Sequence, residues 1–524
     1  MRLIPEEGRN TASYWCSWRN QRLFMPNPFL HMNVYDPAAH GILQREMLSD
    51  EFLFGRPGVV AHYMQGVRRD MYVMLDDGWD IPYLGNHKDW GSLVLNPDRF
   101  PYGGKTPAEN LAILNRKILD LGYAGTALWV PMQCAGESGS DLFDLARFRA
   151  FWVERARWLD EAGIAYIKAD WGLHSRSPIY RELLTDILRE YAPRVQIEHA
   201  VIEGWYHAPD TDLTPFANIF RVADAFRCYD VRFDFNSSST LGRAAHLLTL
   251  DVGMKEGCRG LLNVGEEPYI AAALGCTMGI MSHPMLRGSI ISMLPDDFKN
   301  GISHRATLKS EFHSFDHYER ALRWQRVAPA FPYRRGETVS SGEWLEDSWT
   351  YEKEPYPYLP QDAKGTSVRQ SAPAAVARNT PLPEIVGSAP YHENRHRPFV
   401  IASRNRESGA FTVATLPRTV DGVMNCTTPE AHVLCREVPA DAPFAVFGCY
   451  ASLTLEFDRP IEGMRLFGGD LLRDEVGDIT DCEGVTLEGN RLVLDGALLE
   501  RLGTECASFH DLADPGSVFR LTRA

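Results

Sequence analysis

A helix-like segment, a short apolar strand and a Lys-x-Asp sequence follow one another in this chain and limit its fold most. Between residues 143 and 162, apolar residues recur at helical spacing. A turn at Gly163 leads into residues 163–167, which have the composition of a buried strand, and Lys168 and Asp170 follow. This order predicts one repeat of an α/β barrel, a fold whose functional residues stand at the carboxyl ends of the strands.

The same order of segments recurs over the first 330 residues. Helical segments lie between most members of a series of strand candidates, which are centred near residues 14, 73, 127, 167, 196, 221, 261 and 289. A final helix is expected near residues 309–325. Eight strand–helix repeats predict a (β/α)8 TIM barrel over residues 1–330.

The pattern changes after the predicted barrel. Residues 331–397 include an Ala-, Pro- and Ser-rich stretch with little periodicity, so we predict an irregular connection there. From 398 to 524, short runs of β-branched and aromatic residues alternate with turn signals. This second pattern predicts a C-terminal antiparallel β-sandwich domain.

Charge and cysteine usage restrict the partners and the compartment. The formal net charge of -15 argues against nucleic acid and anionic membranes, since both bind basic surfaces. The chain has no apolar run of membrane-spanning length, and its first residues lack the apolar centre of a signal peptide. The ten cysteines show no Cys-x-x-Cys and no metal-ligand spacing. We expect a cytoplasmic protein without cofactor or metal, and a homo-oligomer is compatible with this sequence.

Acidic residues end separate predicted strands. They are Asp76 and Asp77, Asp170, Glu198 and Asp224. Retaining glycoside hydrolysis needs two carboxyl groups about 5–5.5 Å apart, one as nucleophile and one as acid/base. Because side chains alternate along a strand, Lys168 faces the same side as Asp170, and its charge favours the ionised carboxylate that a nucleophile requires. Arg221 gives Asp224 a charged partner as well, so charge alone does not settle the two roles.

Five motifs in chain order resemble those of the retaining α-galactosidase clan, closest to its melibiase or α-galactosidase A type. They are Trp15-x-x-Trp18, Leu75-Asp-Asp-Gly-Trp79, Asn96-Pro-Asp-Arg-Phe-Pro-Tyr-Gly103, Lys168-Ala-Asp170 and Phe220-Arg221-Val-Ala-Asp224. The resemblance covers roughly residues 11–292. It implies a carbohydrate substrate that is bound and cleaved at the mouth of a barrel.

The resemblance also implies individual roles. Asp170 would be the nucleophile and Asp224 the acid/base. The residues expected to bind the sugar are Asp76 and Asp77, which would hold its 4- and 6-hydroxyls, together with Lys168 and Arg221. Candidates for an aromatic wall are Trp15, Trp18, Trp79 and Trp129. Trp171 follows the nucleophile directly, and the sequence lacks the cysteine that the clan usually has two places after it.

Departures from the clan leave the acid and the substrate open. The spacing from Arg221 to Asp224 is one residue shorter than usual, so Asp230 is a rival for the acid/base. Glu198, His199 and Glu203 are all candidates for contacting the 2-position of the sugar. An α-galactoside, a β-L-arabinopyranoside, an α-N-acetylgalactosaminide and an α-linked glucose oligomer are therefore all candidate substrates.

Two other classes of function compete with this interpretation. A metal-dependent barrel hydrolase would use Asp76, Asp77, Glu198 and His199 as ligands, but the chain lacks the several convergent histidines that such sites generally need. A non-catalytic sugar-binding barrel would not need both candidate catalytic aspartates. The sequence therefore predicts a metal-independent, retaining exo-glycosidase that acts on terminal α-galactoside-like linkages.

Overall fold

The fold is described from a computed structural model of the protein. The described residues are 1–9, 11–23, 43–56, 58–80, 91–137, 143–200, 219, 222–227, 237–249, 257–263, 268–281, 284, 315–331, 337–350, 367–386, 397–420, 423–507 and 514–523.

Eight parallel strands form the first part of the chain, and each pairs with the next in sequence order. They are β1 (Tyr14–Cys16), β2 (Tyr72–Leu75), β3 (Thr126–Val130), β4 (Tyr166–Ala169), β5 (Gln196–Ala200), β6 (Ala225–Arg227), β7 (Arg259–Asn263) and β8 (Thr277–Ile280). The first strand also pairs with the eighth, so the sheet closes into a barrel. The prediction of a parallel α/β architecture is confirmed.

Helices connect or follow these strands. They are α1 (Trp18–Leu23), α2 (Asp50–Phe54), α3 (Val59–His62), α4 (Pro107–Asp120), α5 (Leu145–Ala162), α6 (Pro178–Tyr191), α7 (Ser237–Thr249), α8 (Pro268–Leu274) and α9 (Phe315–Gln325). The ends of α5 follow from its sequence. Asp144 accepts hydrogen bonds from the first turn, and Gly163 ends the helix with a φ of 70°.

Side-chain alternation divides each strand between two cores. Tyr14, Trp129 and Tyr166 belong to an inner cluster within the barrel. Trp15 and Ile167 point the opposite way, into the larger cluster between strands and helices. Trp15 is thus buried outside the barrel, and its predicted place in an aromatic wall at the mouth is wrong.

Two of the predicted barrel strands lie elsewhere in the structure. The sixth strand was predicted near residue 221, but β6 begins only at Ala225, and before it Ala223 N donates to Ile219 O, four residues earlier as in a helix. The predicted helix 268–281 is instead α8 followed by β8. Most of the stretch that was predicted as the eighth strand, near residue 289, lies outside the described residues. Short apolar runs are compatible with either structure, which explains both errors.

Strands dominate the described residues after 337. The first nine are β9 (Val339–Ser341), β10 (Trp344–Thr350), β11 (Ser367–Pro373), β12 (Ala375–Arg378), β13 (Glu384–Ile385), β14 (Phe399–Arg404), β15 (Phe411–Leu416), β16 (Arg418–Val420) and β17 (Val423–Thr427). The remaining elements are β18 (His432–Val438), β19 (Phe444–Phe447), β20 (Ser452–Phe457), β21 (Met464–Asp470), β22 (Gly477–Asp478), β23 (Val485–Glu488), β24 (Arg491–Asp495), α10 (Gly496–Gly503) and β25 (Gly516–Arg523).

An eight-stranded and a five-stranded sheet account for most of these strands. Their orders are β22-β21-β25-β19-β15-β14-β12-β9 and β13-β18-β20-β24-β23. Because β9, β12 and β13 belong to these sheets and β10 pairs with β11, the prediction of an irregular connection over 331–397 is wrong for these five strands. The stretch rich in Ala, Pro and Ser lacks the alternation of large apolar and polar side chains from which a strand is predicted.

The two sheets are mixed, which corrects the prediction of an antiparallel sandwich. The pairs β12/β14, β15/β19 and β18/β20 run parallel. In each case the chain visits the opposite sheet between the two partners, as β19 does between β18 and β20. Such a crossover returns the chain in the same direction, whereas a direct hairpin such as β14/β15 gives an antiparallel pair.

A buried ion pair joins the barrel's last described helix to the C-terminal sheets. Arg320 of α9 donates from Nε to Asp470 Oδ1 over 3.0 Å and from Nη2 to Asp470 Oδ2 over 2.9 Å. Both side chains are 0% exposed. Two parallel charge-assisted hydrogen bonds of this kind fix the orientation of the two parts of the chain.

We expect Asp470→Asn to lower the free energy of unfolding by about 3 kcal/mol, because it leaves the charge of Arg320 buried without its carboxylate. Urea denaturation measures this change. Glu505→Gln is the control, since it removes a carboxylate from the exposed pair with Arg473 and should cause no measurable loss. Equal stabilities of the two variants would contradict the prediction.

None of the helices among the described residues has the length and apolar character that crossing a membrane requires.

Candidate active site

Strand register brings the predicted site residues of four strands to one level of the barrel. Trp129 pairs with Lys168, and Lys168 pairs with Glu198. Leu75 pairs with Leu128, so Asp76, one residue further along, is level with Trp129. Asp170 follows the end of β4, which puts these side chains at the mouth where the strands have their carboxyl ends.

Lys168 is shared by two carboxylates at this mouth. Its Nζ lies 2.9 Å from Asp76 Oδ2 and 3.1 Å from Asp170 Oδ2. The lysine side chain is only 3% exposed, so water screens these interactions weakly. The ammonium group of Lys168 is therefore within hydrogen-bond distance of both carboxylates and holds the two acidic side chains together at the mouth.

Trp129 donates its indole N–H to the same oxygen of Asp170, over 2.9 Å. Trp79 in turn donates its indole N–H to the backbone oxygen of Trp129, over 2.9 Å. Both tryptophans are almost fully buried. Trp129 therefore orients the candidate nucleophile, whereas Trp79 supports Trp129 from behind and its predicted contact with the sugar is not supported by its position.

Trp171 is the exposed aromatic residue next to the candidate nucleophile. Its side chain is 37% exposed, and its ring centroid lies 6.1 Å from that of Trp129. Trp18 is half-buried and packs against the inner cluster of the barrel. Neither Trp171 nor Trp18 is fully buried, and the predicted contact of each with the substrate stays a prediction.

Gly172 holds Trp171 in this place. Its φ is +144°, and a Cβ atom there would lie 2.7 Å from the backbone nitrogen of Met132. That nitrogen donates to Trp171 O over 2.9 Å, which ties the loop after β4 to the loop after β3. A residue with a side chain at position 172 would break this contact.

The two adjacent aspartates after β2 have different surroundings. Asp76 accepts a hydrogen bond from the Cys16 thiol over 3.0 Å, in addition to the one from Lys168. Asp77 accepts from Arg45 instead, whose Nε and Nη2 lie 2.7 and 2.6 Å from Oδ2. The guanidinium carbon of Arg45 is also 5.7 Å from the ring centroid of Trp171. Asp76 thus belongs to the Lys168 cluster, whereas Asp77 orients Arg45 beside the exposed indole.

The thiol of Cys16 is buried beside this cluster. Burial raises the pKa of Cys16 well above its ordinary value, and the neighbouring charge of Asp76 raises it further. The residue therefore acts as a neutral hydrogen-bond donor to Asp76 at neutral pH.

Glu198 and His199 face opposite sides of β5. Glu198 lies inside the barrel, where the hydroxyls of Tyr14 and Tyr166 donate to its two oxygens over 3.4 and 3.0 Å. His199 points out of the barrel toward Arg181 and Thr185 of α6. The prediction that His199 binds substrate is therefore wrong, and of these two residues only Glu198 lies on the side of Lys168.

Asp224 stands at the opposite end of the barrel from Asp170. It precedes β6, and its backbone nitrogen donates to Ile197 O over 3.0 Å, near the start of β5. In this register it lies three residues, about 10 Å along the strands, below the level of Asp170. Its Oδ2 pairs with Arg189 near the end of α6 over 2.7 Å. The prediction of Asp224 as the acid/base is therefore contradicted, because the sixth strand begins after this residue and not before it.

Three further candidates cannot be placed. Arg221, Glu203 and Asp230 lie outside the described residues. Sequence reasoning also missed Arg45 and Arg181, because neither belongs to a strand end or a recognisable motif. A signal did exist for the sixth strand, since Phe-Arg-x-x-Asp occurs twice, at residues 220–224 and again at 226–230. The structure ends β6 at Arg227, within the second copy.

Asp80 lies in the loop that follows β2, where it is buried close to Asp77. Burial raises the pKa of Asp80 from 3.8 to about 7, and the charge of Asp77 raises it as well. The protonated form is therefore preferred in the folded protein. Stability from this group is fully present below about pH 4 and is lost as the pH rises through about 7.

We expect Asp80→Asn to stabilise the protein more at about pH 8 than at about pH 5, because asparagine removes the cost of burying the charge. Thermal unfolding at both pH values measures the difference. Asp98→Asn, which changes an exposed aspartate of the same loop, serves as the control and should show no such trend. An Asp80→Asn effect that is independent of pH would contradict the prediction.

The described residues contain no group of three or more His, Cys, Asp or Glu side chains arranged to hold a metal ion. The fold and the site together define an α/β-barrel protein with a lysine shared by two carboxylates at its mouth.

Comparison with known proteins gives distant structural likenesses. No family model matches the chain, and no curated protein matches it. A candidate α-galactosidase from Bacteroides fragilis is 11% identical, with a TM-score of 0.41, and the match covers 98% of this chain and 80% of that one. A β-L-arabinopyranosidase from Geobacillus stearothermophilus, in complex with arabinose, is 10% identical with a TM-score of 0.37, over 100% of this chain and 98% of that one. At these values the likenesses carry no argument about activity, and the function below is inferred from the site itself.

Proposed function

We propose that the protein is a retaining, exo-acting glycoside hydrolase that cleaves terminal α-galactoside-like linkages. The observation that carries this proposal is the carboxylate of Asp170, held between Lys168 Nζ and the Trp129 indole at the end of β4. A buried carboxylate that is kept ionised and oriented by two donors has the properties of a glycosidase nucleophile. The sequence resemblance of Lys168-Ala-Asp170 to the clan supports the same role.

The reaction proceeds by double displacement. Asp170 attacks the anomeric carbon while an acid gives its proton to the leaving oxygen, and a glycosyl ester forms on Asp170. The acid, now a base, then takes a proton from water, which attacks the same carbon and releases the sugar and Asp170.

Asp230 is the acid/base in this proposal, in place of Asp224. Asp230 follows the last residue of β6, Arg227, by three positions, and chain that follows a barrel strand is where catalytic residues are found. The second Phe-Arg-x-x-Asp copy, at 226–230, also supplies an arginine, so Arg227 takes the sugar-binding role that the resemblance suggested for Arg221.

Asp76 and Lys168 bind the sugar hydroxyls, since both lie within the cluster that contains Asp170. Trp18 and Trp171 supply aromatic surface next to it. Glu198 lies deeper, level with Lys168 and bound by two tyrosine hydroxyls. In this proposal Glu198 does not contact the sugar but helps to position Lys168, Tyr14 and Tyr166.

A β-L-arabinopyranoside is the second candidate substrate, and the surroundings of Asp77 favour it. The resemblance assigns the 4- and 6-hydroxyls of the sugar to Asp76 and Asp77. Asp77 is 2% exposed and engaged by Arg45. β-L-Arabinopyranose has no hydroxymethyl group and therefore needs one hydroxyl partner fewer than galactose.

Hydrolysis of a panel of aryl glycosides by the purified protein tests the proposal. The panel contains α-galactosides, β-L-arabinopyranosides, α-N-acetylgalactosaminides, α-glucosides and β-galactosides. The proposal expects turnover of the first or the second sugar, with retention of anomeric configuration by NMR. Exclusive turnover of another sugar, an inverted product, or no turnover would overturn it. The cytoplasmic location stays a prediction.

A further inference from the structure

We propose that Arg181 is a positioning residue that fixes the candidate nucleophile from behind the barrel. The inference rests on the proposed function, because it concerns the placement of Asp170. Arg181 lies in the first turn and a half of α6, between that helix and the ends of β4 and β5.

All five N–H donors of Arg181 are engaged at the ends of these two strands. Nε donates to Ser175 O over 2.9 Å, and Nη1 donates to Ala169 O over 2.7 Å and to His199 Nδ1 over 3.3 Å. Nη2 donates to Asp170 O over 2.8 Å and to Ala200 O over 3.2 Å. The guanidinium group therefore binds the backbone carbonyls of both Ala169 and Asp170, and it connects them to β5 and to the loop that follows β4.

Arg181 occupies a position near the N-terminus of α6 where a positive charge is unfavourable. A cation near the N-terminus of a helix opposes the helix dipole, and this side chain is also almost fully buried. Burial lowers the pKa of Arg181 to about 10, so it is still a cation at neutral pH. A buried charge in an unfavourable part of a helix indicates that its contacts with the strand ends are the reason for its presence.

His199 and Thr185 hold Arg181 in this orientation. Because Nδ1 of His199 accepts from Arg181, the imidazole proton is assigned to Nε2, which donates to Thr185 Oγ1 over 2.8 Å. Thr185 Oγ1 donates to Arg181 O over 2.8 Å. Burial, followed by the charges of Arg181 and Arg189, lowers the pKa of His199 well below its ordinary value, so the acceptor at Nδ1 is kept.

This arrangement acts on Asp170 in two ways. It fixes the backbone from which the carboxylate extends, while Lys168 and Trp129 fix the carboxylate itself. It also places a second positive charge on the far side of Asp170, opposite Lys168. Among the residues that the structure describes, Asp76 and Glu198 bring negative charges to this pair, which disfavour ionisation of Asp170, and the second cation offsets them.

Two substitutions separate the roles of geometry and charge. Arg181→Lys keeps the charge but offers three donors instead of five. We expect kcat to fall about a hundredfold with a nearly unchanged KM, because a displacement of about 1 Å in a catalytic group costs that much. Arg181→Gln also removes the charge, so the acidic limb of the kcat/KM profile should move to higher pH, whereas Arg181→Lys should leave it in place.

Arg189→Gln is the matched control. It removes an arginine of the same helix that pairs with Asp224 at the other end of the barrel, and it should leave kcat and the pH profile unchanged. A folded Arg181→Lys variant with wild-type kcat would overturn the inference, as would an Arg181→Gln variant with the wild-type acidic limb. Should Arg181→Gln not fold, Arg181→Lys alone decides.

The position of the Asp170 carboxylate can be measured without any enzymatic activity, so the role of Arg181 can be tested even if the proposed function fails. If the wild-type protein cleaves none of the panel, the proposed function fails, and crystal structures of wild type and Arg181→Lys then decide on Arg181. A shift of the Asp170 carboxylate by about 1 Å supports the positioning role. An unmoved carboxylate overturns it.

Discussion

Asp170→Ala is expected to lower kcat/KM for the preferred aryl glycoside at least about a thousandfold, which corresponds to at least about 4 kcal/mol of transition-state stabilisation. The reason is that no covalent intermediate can form without this carboxylate. Initial rates with a sensitive aryl leaving group measure the loss. The fold should persist, because Lys168 keeps its ion pair with Asp76 when alanine replaces Asp170.

Two additions make this test specific for a nucleophile. Azide can enter the space left by Asp170→Ala and attack the anomeric carbon, which should restore turnover and give a glycosyl azide of inverted configuration. A 2-deoxy-2-fluoro glycosyl fluoride should label the wild-type protein and not the variant, with the added mass on the peptide that contains residue 170. Asp98→Asn controls for the loss of a carboxylate elsewhere. Wild-type rates in Asp170→Ala would remove the nucleophile assignment.

The candidate nucleophile was predictable because the signals around it are local. Helix α5 has an acidic N-cap at Asp144 and a glycine C-cap at Gly163, so the start of β4 follows directly. Strand alternation then puts Lys168 and Asp170 on one side, and the 3.1 Å contact in the structure agrees. Hydrophobic periodicity and capping residues are enough to predict a helix or strand when its ends are determined by its own sequence.

The sixth strand was not predictable in the same way. Residues 219–223 are apolar except for Arg221, and a short apolar run follows at 225–226. Only pairing with β5 decides which becomes strand, and that pairing places Ala225 opposite Glu198. The choice between two identical Phe-Arg-x-x-Asp patterns depends on this register, which local sequence does not contain.

The arginine partners of Asp77 and Asp170 were not predictable from the sequence. Arg45 comes from the connection between β1 and β2, and Arg181 from a helix that follows the site. Both act through contacts between segments that are distant in sequence or lack a repeating pattern. A motif identifies a residue that binds substrate more readily than a residue that supports it, because support depends on the packed structure.

Replacing Asp230, the second aspartate of the repeated Phe-Arg-x-x-Asp pattern, is expected to cause the second large loss of activity. Asp230→Ala should lower kcat/KM for an aryl glycoside with a poor leaving group about a hundred- to ten-thousandfold, the usual contribution of general acid catalysis. For a dinitrophenyl glycoside, which leaves without a proton, kcat/KM should fall far less. This dependence on the leaving group identifies an acid, since general damage to the site would lower both values equally.

Asp224→Asn provides the matched comparison for that experiment. Asp224 is 21% exposed, pairs with Arg189, and lies about 10 Å below the level of Asp170 along the strands, so its replacement should leave kcat/KM for both glycosides unchanged. The reverse result, with activity lost in Asp224→Asn and kept in Asp230→Ala, would return the acid/base role to Asp224. It would also require a barrel in which the sixth strand ends at Asp224. The pair of variants therefore tests the register of β6 as well as the chemistry, because the predicted sixth strand ends at Asp224, whereas β6 begins after Asp224 and ends at Arg227.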